Sequence, residues 1–124
     1  MTRKYSRRKI TRVKERQFGK NLGHYIYRSP NGGYQFMRST WEVKYANFLD
    51  QKGIKWTYEP MAFKTSEGFY FPDFYLPGEA CWVEIKGRLT DEAAKKMENF
   101  QKSYPNEKLT ILRGNDLKDL GIDI

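Results

Sequence analysis

The 124 residues suffice for one hydrophobic core and are too few for two. A net charge of +8, from 23 Lys and Arg against 15 Asp and Glu, favours polyanionic partners, with nucleic acid first among them. No apolar run reaches the roughly 18 residues of a membrane span, the basic N-terminus lacks the apolar stretch of a secretion signal, and Cys81 has no second cysteine to pair with, so a cytoplasmic protein without membrane contact is expected.

The positive charge sits at one end. Residues 1 to 44 hold twelve Lys or Arg against Glu15 and Glu42, whereas residues 45 to 124 hold eleven against thirteen acids. The opening MTRKYSRRKITRVKERQFGK has nine basic residues and too few apolar ones for a core, so residues 1–22 read as a basic arm, disordered or marginally helical when free. Arg3, Lys4, Arg7, Arg8, Lys9 and Arg12 in this arm, with Arg28, Arg38 and Lys44 beyond it, are candidate contacts to the phosphates of DNA. A solvated tail that serves solubility alone is the alternative.

Residues 23–124 read as one domain. HYIYRSPNGGYQFMRS flanks Pro30-Asn31-Gly32-Gly33 with aromatic-rich stretches and predicts a β-hairpin over residues 24–38. STWEVKYANFLDQKG then places Trp41, Tyr45, Phe48 and Leu49 at i, i+4, i+7 and i+8 and ends in Gly53, which predicts an amphipathic helix of about residues 40–52. IKWTYEPMAFKT, GFYFPDFYL and CWVEIKG follow as three β-rich stretches, read as successive antiparallel strands. A second helix is expected in TDEAAKKMENFQKSYP, with Thr90 as N-cap, acids in the first turn, Met97, Phe100 and Gln101 on one side, and Pro105 past the end. KLTILRG reads as a short buried strand and NDLKDLGIDI as a closing helical turn. The order predicts an α/β domain with a mixed central sheet flanked by helices, its catalytic core spanning residues 39–112.

The chemistry concentrates in FPDFYLPGEACWVEIKG, residues 71–87. A strand's period of two puts Cys81, Val83 and Ile85 on one face, towards the core, and Trp82, Glu84 and Lys86 on the other. Glu84 and Lys86 then lie about 7 Å apart and serve one site. Asp73 follows Pro72, which cannot donate to a ladder and suits an edge, bulge or bend. The turn Leu76-Pro77-Gly78 brings the two strands side by side. One carboxylate from each supplies the oxygen donors preferred by Mg2+, for which Mn2+ can substitute. Such a metal polarises a phosphodiester and acidifies a bound water, while Lys86 orients that water or stabilises developing charge. No zinc-type cluster competes, because the chain has only His24 and Cys81.

Pro72-Asp73, ten intervening residues and Glu84-Ile85-Lys86 resemble the motif of the PD-(D/E)XK nuclease superfamily. Over residues 38–104 the wider pattern is similar to bacteriophage Holliday-junction-resolving endonucleases and, less closely, to transposon-end-cutting subunits. The resemblance implies a restriction-endonuclease-like core and the cytoplasm of a bacterial or phage-infected cell. It implies Asp73 and Glu84 as metal ligands, Lys86 as the catalytic lysine, and Glu42, on the helix before the first strand, as a ligand or water-positioning group. It does not imply a substrate.

Plainer readings stand beside these. Ser39-Thr40-Trp41-Glu42 is also a capping box, in which Glu42 need only satisfy the Ser39 N–H. Asp73 is a turn former, and Glu84 with Lys86 could be a solvated strand face. Glu59 in TYEP is a further site carboxylate or an edge-strand charge, with the latter preferred; Lys95, Gln101 and Lys102 are phosphate contacts or, by default, exposed helix polarity; His24 leans towards a hairpin surface. Trp41 and Trp56 read as core, Cys81 as a small buried apolar residue, and Trp82 as either a wall of the site or packing under the second helix.

The expected function is that of a metal-dependent DNA endonuclease, recognising structure such as a branch or nick, or a short site read by the hairpin, since no base-reading module is visible. Paired cuts require two sites, which argues for a homodimer. The alternatives are a non-catalytic nucleic-acid-binding module and the cutting subunit of a recombination, packaging or transposition machine whose protein partner supplies target recognition.

Overall fold

Residues 81–85, Cys-Trp-Val-Glu-Ile, are buried at every position, which an alternating strand achieves only when both faces of its sheet are covered. The computed structural model describes residues 11–17 and 20–124, with side chains from residue 25 onward. In chain order it contains β1 (Thr11–Gln17), β2 (Lys20–Arg28), β3 (Tyr34–Met37), α1 (Thr40–Gln51), β4 (Thr57–Tyr58), β5 (Phe63–Thr65), β6 (Gly68–Tyr70), β7 (Phe74–Leu76), β8 (Cys81–Ile85), α2 (Asp91–Ser103), β9 (Lys108–Leu112) and α3 (Gly114–Asp119).

The central sheet has the order β4-β7-β8-β9. β7 runs antiparallel to both β4 and β8, and β9 lies parallel to β8 after the α2 crossover, so the sheet is mixed. This is the restriction-endonuclease-like class expected of the sequence, a mixed sheet flanked by helices. One face carries Phe74, Val83 and Ile85 against Val43, Tyr45, Ala46 and Leu49 of α1. The other carries Trp82 against Met97 and Phe100 of α2 and Phe63 of β5. Phe74 and Phe100 are fully buried, and each contributes about 1.5–3 kcal/mol by leaving water.

The helices begin where their caps place them. Ser39 Oγ accepts from the Glu42 N–H at 3.2 Å and Thr90 Oγ1 from the Ala93 N–H at 3.1 Å. α1 stops at Gly53, whose φ of 69° is the left-handed value a C′ glycine tolerates. Asp50 near that end accepts hydrogen bonds from the Tyr27 hydroxyl and from Trp56 Nε1 at 2.9 Å, tying the β2–β3 hairpin and the approach to β4 onto one helix.

Three expectations change. The three β-rich stretches resolve into five short strands, because Glu59 and Pro72-Asp73 interrupt them; β5 and β6 pair only with each other, and β4 reaches across to β7. The face bearing Trp82 and Glu84 is no open surface, since α2 covers it, and Trp82 packs beneath that helix. Finally, Thr11–Gln17 pairs antiparallel with β2, so part of the stretch read as a disordered or marginally helical arm is strand. There β2 provides a pairing edge that local propensity does not reveal. Arg3, Lys4, Arg7, Arg8 and Lys9 lie outside the described residues, and Arg12 belongs to β1.

Candidate active site

Three carboxylates from three different chain segments are buried together. Glu42 is 5% exposed, Asp73 8% and Glu84 4%, the three buried charged residues among those described. Asp73 sits in the break between β6 and β7, after the buried Pro72, where the chain has left one ladder and not yet joined the next. The backbone N–H of Ile85 donates to its Oδ2 at 2.7 Å. Glu84 lies in the central strand β8; its Oε1 accepts from the Tyr70 hydroxyl at 2.7 Å, and its Oε2 is 3.4 Å from Lys86 Nζ. Glu42 stands in the first turn of α1, where its Oε1 accepts from the Ser39 hydroxyl and its Oε2 from the Tyr58 hydroxyl, both at 2.8 Å. Ser39 therefore caps the helix, while the Glu42 carboxylate turns inward to side-chain hydroxyls.

Burial of so much like charge raises every carboxyl in the group. Asp73 is pushed up to about 9, chiefly by burial and then by the charges of Glu42 and Glu84, against the opposing Ile85 N–H and Lys86. Glu42 is raised by burial, with the bonds from Ser39, Tyr58 and Asp73 acting the other way. Glu84 is raised by burial and partly relieved by Tyr70 and Lys86. Both tyrosine hydroxyls are raised in turn, first by burial and then by the carboxylate each one serves. Burial thus favours the protonated form of Asp73.

Among the described residues Lys86 is the cation in ion-pair contact with this carboxylate trio, and it leans on Glu84. One oxygen each from Glu42, Glu59 and Asp73 lie within 4.8 Å of one another, and this group could hold a metal ion. A donor set made entirely of carboxylate oxygens fits a hard divalent cation such as Mg2+ or Mn2+ and not a soft metal.

A cavity of about 480 Å³ opens over the trio. Glu42, Asp73, Glu84 and Lys86 all line it, with Arg38, Trp41, Gly87 and Arg88 at its rim and walls. Arg28 is exposed on the hairpin and Lys44 half-buried on α1, and neither reaches this cavity. Lys95 and Lys102 pair with Glu67 and Glu98 on exposed surface, as ordinary helix charges do.

Part of the chain has a named relative. Over 87 residues it is 33% identical to Endodeoxyribonuclease 1 of Enterobacteria phage T3, a match covering 67% of this chain and 55% of that protein. The chain spans about half the length of this relative. No family model matches the chain, and no solved structure matches it.

Sequence reading missed Tyr58, Tyr70 and Arg88. Each tyrosine meets its carboxylate across the fold, 16 and 14 residues away, so no local spacing announces it. Arg88 did have a signal: it follows Lys86 by two residues in EIKGR, at the strand's exit into the cavity.

Proposed function

We propose that this chain is a metal-dependent DNA endonuclease, with Mg2+ as its cofactor and Mn2+ able to replace it. The observation that carries the reading is the convergence of Glu42, Asp73, Glu84 and Lys86 on one cavity from three separate chain segments. The likeness to a phage endodeoxyribonuclease supports the same chemistry, as does the PD-(D/E)XK-like spacing of Asp73, Glu84 and Lys86.

In this reading Asp73, Glu84 and Glu42 hold the metal, the first two as ligands and Glu42 as ligand or water-positioning group. When bound, the metal supplies Lewis acidity towards the phosphodiester and acidifies a coordinated water. Asp73 would hold the metal as a carboxylate, its proton released to solvent on binding, and the Ile85 N–H keeps that carboxylate aimed at the cavity. Glu84 is fixed from behind by Tyr70, so its second oxygen and Lys86 face the reacting group together. Lys86, whose side chain is 32% exposed, orients the attacking water or neutralises charge that develops on the phosphate.

Binding rests on the basic N-terminal third, through the arm, Arg12, Arg28, Arg38 and Lys44, and weakens steeply with salt. Recognition by DNA structure and action as a homodimer belong to the same proposal, because phosphate contacts carry no base sequence and paired cuts need two sites.

The test is cleavage of a supercoiled plasmid and a four-way junction with Mg2+, Mn2+ or chelator, for the natural chain and Glu84→Ala. Metal-dependent cutting by the natural chain alone is expected, with the junction cut faster than plain duplex. Binding without cutting under any metal would sink the stand-alone nuclease and leave a binding module or a partner-dependent subunit.

A further inference from the structure

Glu59 belongs to the acidic group by distance and is set apart from it by its partner. Its carboxylate lies near those of Glu42 and Asp73, yet it does not line the cavity that the other two line. Its charge is already matched: Arg38 Nε donates to Glu59 Oε2 at 2.9 Å and Nη2 to Oε1 at 3.4 Å, a two-pronged contact. The pair is asymmetric. The Glu59 side chain is 17% exposed and that of Arg38 65%, so the carboxylate sits behind the guanidinium and the guanidinium faces the solvent at the cavity rim.

The backbone is arranged to keep it so. Glu59 has φ of 43°, in the left-handed region that costs a residue with a side chain about 1 kcal/mol or more. Its N–H donates to the Asp73 carbonyl at 2.8 Å, which fixes it to the segment bearing that carboxylate. Arg38 is held at its other end as well, because its own N–H donates to the Tyr58 hydroxyl at 3.2 Å, and Tyr58 donates to Glu42. Two of the five guanidinium N–H groups serve Glu59, leaving three, including the end-on Nη1/Nη2 fork that suits phosphate oxygens.

We infer that Glu59 is a positioning residue that presents Arg38 to a DNA phosphate at the mouth of the cavity, and is not a ligand of the metal. The inference rests on the nuclease reading for its substrate and deepens it: the contact is with a phosphodiester beside the one over Asp73 and Glu84. The strained Glu59 then has a purpose, since it turns a long, rotamer-rich cation into a pre-oriented one and lowers the ordering cost of binding.

The experiment measures two affinities that need no cleavage. Mn2+ binding is followed by paramagnetic resonance without DNA, and binding of a labelled four-way junction in Ca2+ is followed as a function of salt, for Glu59→Gln, Arg38→Ala, Arg38→Lys, the double variant Glu59→Gln/Arg38→Ala, and Asp73→Asn. Arg38→Ala is expected to weaken junction binding about 10-fold and to lower the salt slope by about 1. Glu59→Gln is expected to weaken junction binding several-fold (order-of-magnitude expectation) with the salt slope and Mn2+ affinity unchanged, and the double variant to match Arg38→Ala. Arg38→Lys, which keeps the charge without the fork, should restore the slope but not the full affinity. Loss of Mn2+ affinity in Glu59→Gln comparable to that in Asp73→Asn would make Glu59 a ligand and overturn the inference. So would junction binding that ignores Arg38→Ala, an exposed change that leaves the fold intact even where Glu59→Gln does not. A natural chain that binds both probes and never cuts removes the nuclease reading alone.

Discussion

The backbone N–H of Ile85 donates to Asp73 Oδ2 at 2.7 Å, so the strand that carries Glu84 also fixes the carboxylate beside it. Because the donor is main chain, only proline at position 85 would remove it, and both carboxylates are registered to β8. Asp73→Asn keeps an oxygen for that N–H but removes the charge. It is expected to lower Mn2+ affinity and DNA cleavage by more than about 100-fold, beyond the range for partners outside the ligand shell. Metal-free DNA affinity should be kept, since burial already favours the uncharged form of Asp73. Titration of metal and DNA separately checks this, and a variant that still cleaves at a comparable rate contradicts the assignment.

The same carboxylate makes stability fall with pH. Asp73 is held near 9 in the fold against an ordinary value of 3.8, so between those limits the folded chain binds a proton that the unfolded chain has released. The stabilisation is fully present below about pH 4 and is lost as the pH rises towards 9. Glu42 and Glu84 are shifted in the same direction and add to it. The melting temperature in chelator should therefore decline from about pH 5 to about pH 9, Asp73→Asn should flatten that decline, and Mn2+ should raise the melting temperature most at the alkaline end. A metal-free profile that rises over this range would show that the trio does not hold its protons.

How much of this was legible depends on whether a signal was local. The candidates Asp73, Glu84 and Lys86, which line one cavity, are legible because Pro72 breaks a ladder and a strand has a period of two. Glu42 was reached by resemblance, since its helical position alone reads equally well as a cap. What misled was the alternation in CWVEI: Val83 and Ile85 against Trp82 and Glu84 looks like a strand with one wet face, and only the docking of α2 makes both faces dry. Strand breaks were equally hidden, because Glu59 takes a left-handed backbone in the middle of a β-rich run through its bond to the Asp73 carbonyl, a tertiary contact. The supporting hydroxyls of Tyr58 and Tyr70 come from the same class of long-range pairing.

Tyr70 tests that support. Its ring is packed against Phe100 and its hydroxyl donates to the buried Glu84. Tyr70→Phe keeps the ring and removes the donor, leaving one oxygen of Glu84 without its partner. A hydrogen bond to a charged group contributes about 1.5–3 kcal/mol, so the metal-free protein should lose stability of that order in its ionised form. Cleavage should fall about 10- to 100-fold through a misaimed Glu84, with junction affinity unaffected. Equal activity in Tyr70→Phe would mean that Lys86 alone orients Glu84.

Gly87 follows Lys86 and closes the cavity against Trp41. A Cβ at this position would stand 3.1 Å from Trp41 Cζ3 and 3.3 Å from Cη2, closer than carbon atoms pack at ease. The indole cannot simply retreat, since a Cβ on Gly114 would likewise come within 3.3 Å of its Cη2, which places the ring between two glycine backbones. Trp41 precedes Glu42, so any displacement of the ring is passed to that carboxylate. Gly87→Ala is expected to cost about 1–3 kcal/mol of stability, to shift the tryptophan emission, and to reduce cleavage more than metal-free DNA binding. Gly114→Ala should act in the same direction, and the two together should fall short of additivity, because both press on one ring. Denaturant unfolding of the two single variants and the double measures this directly, and full additivity would show that the two glycines do not act through Trp41.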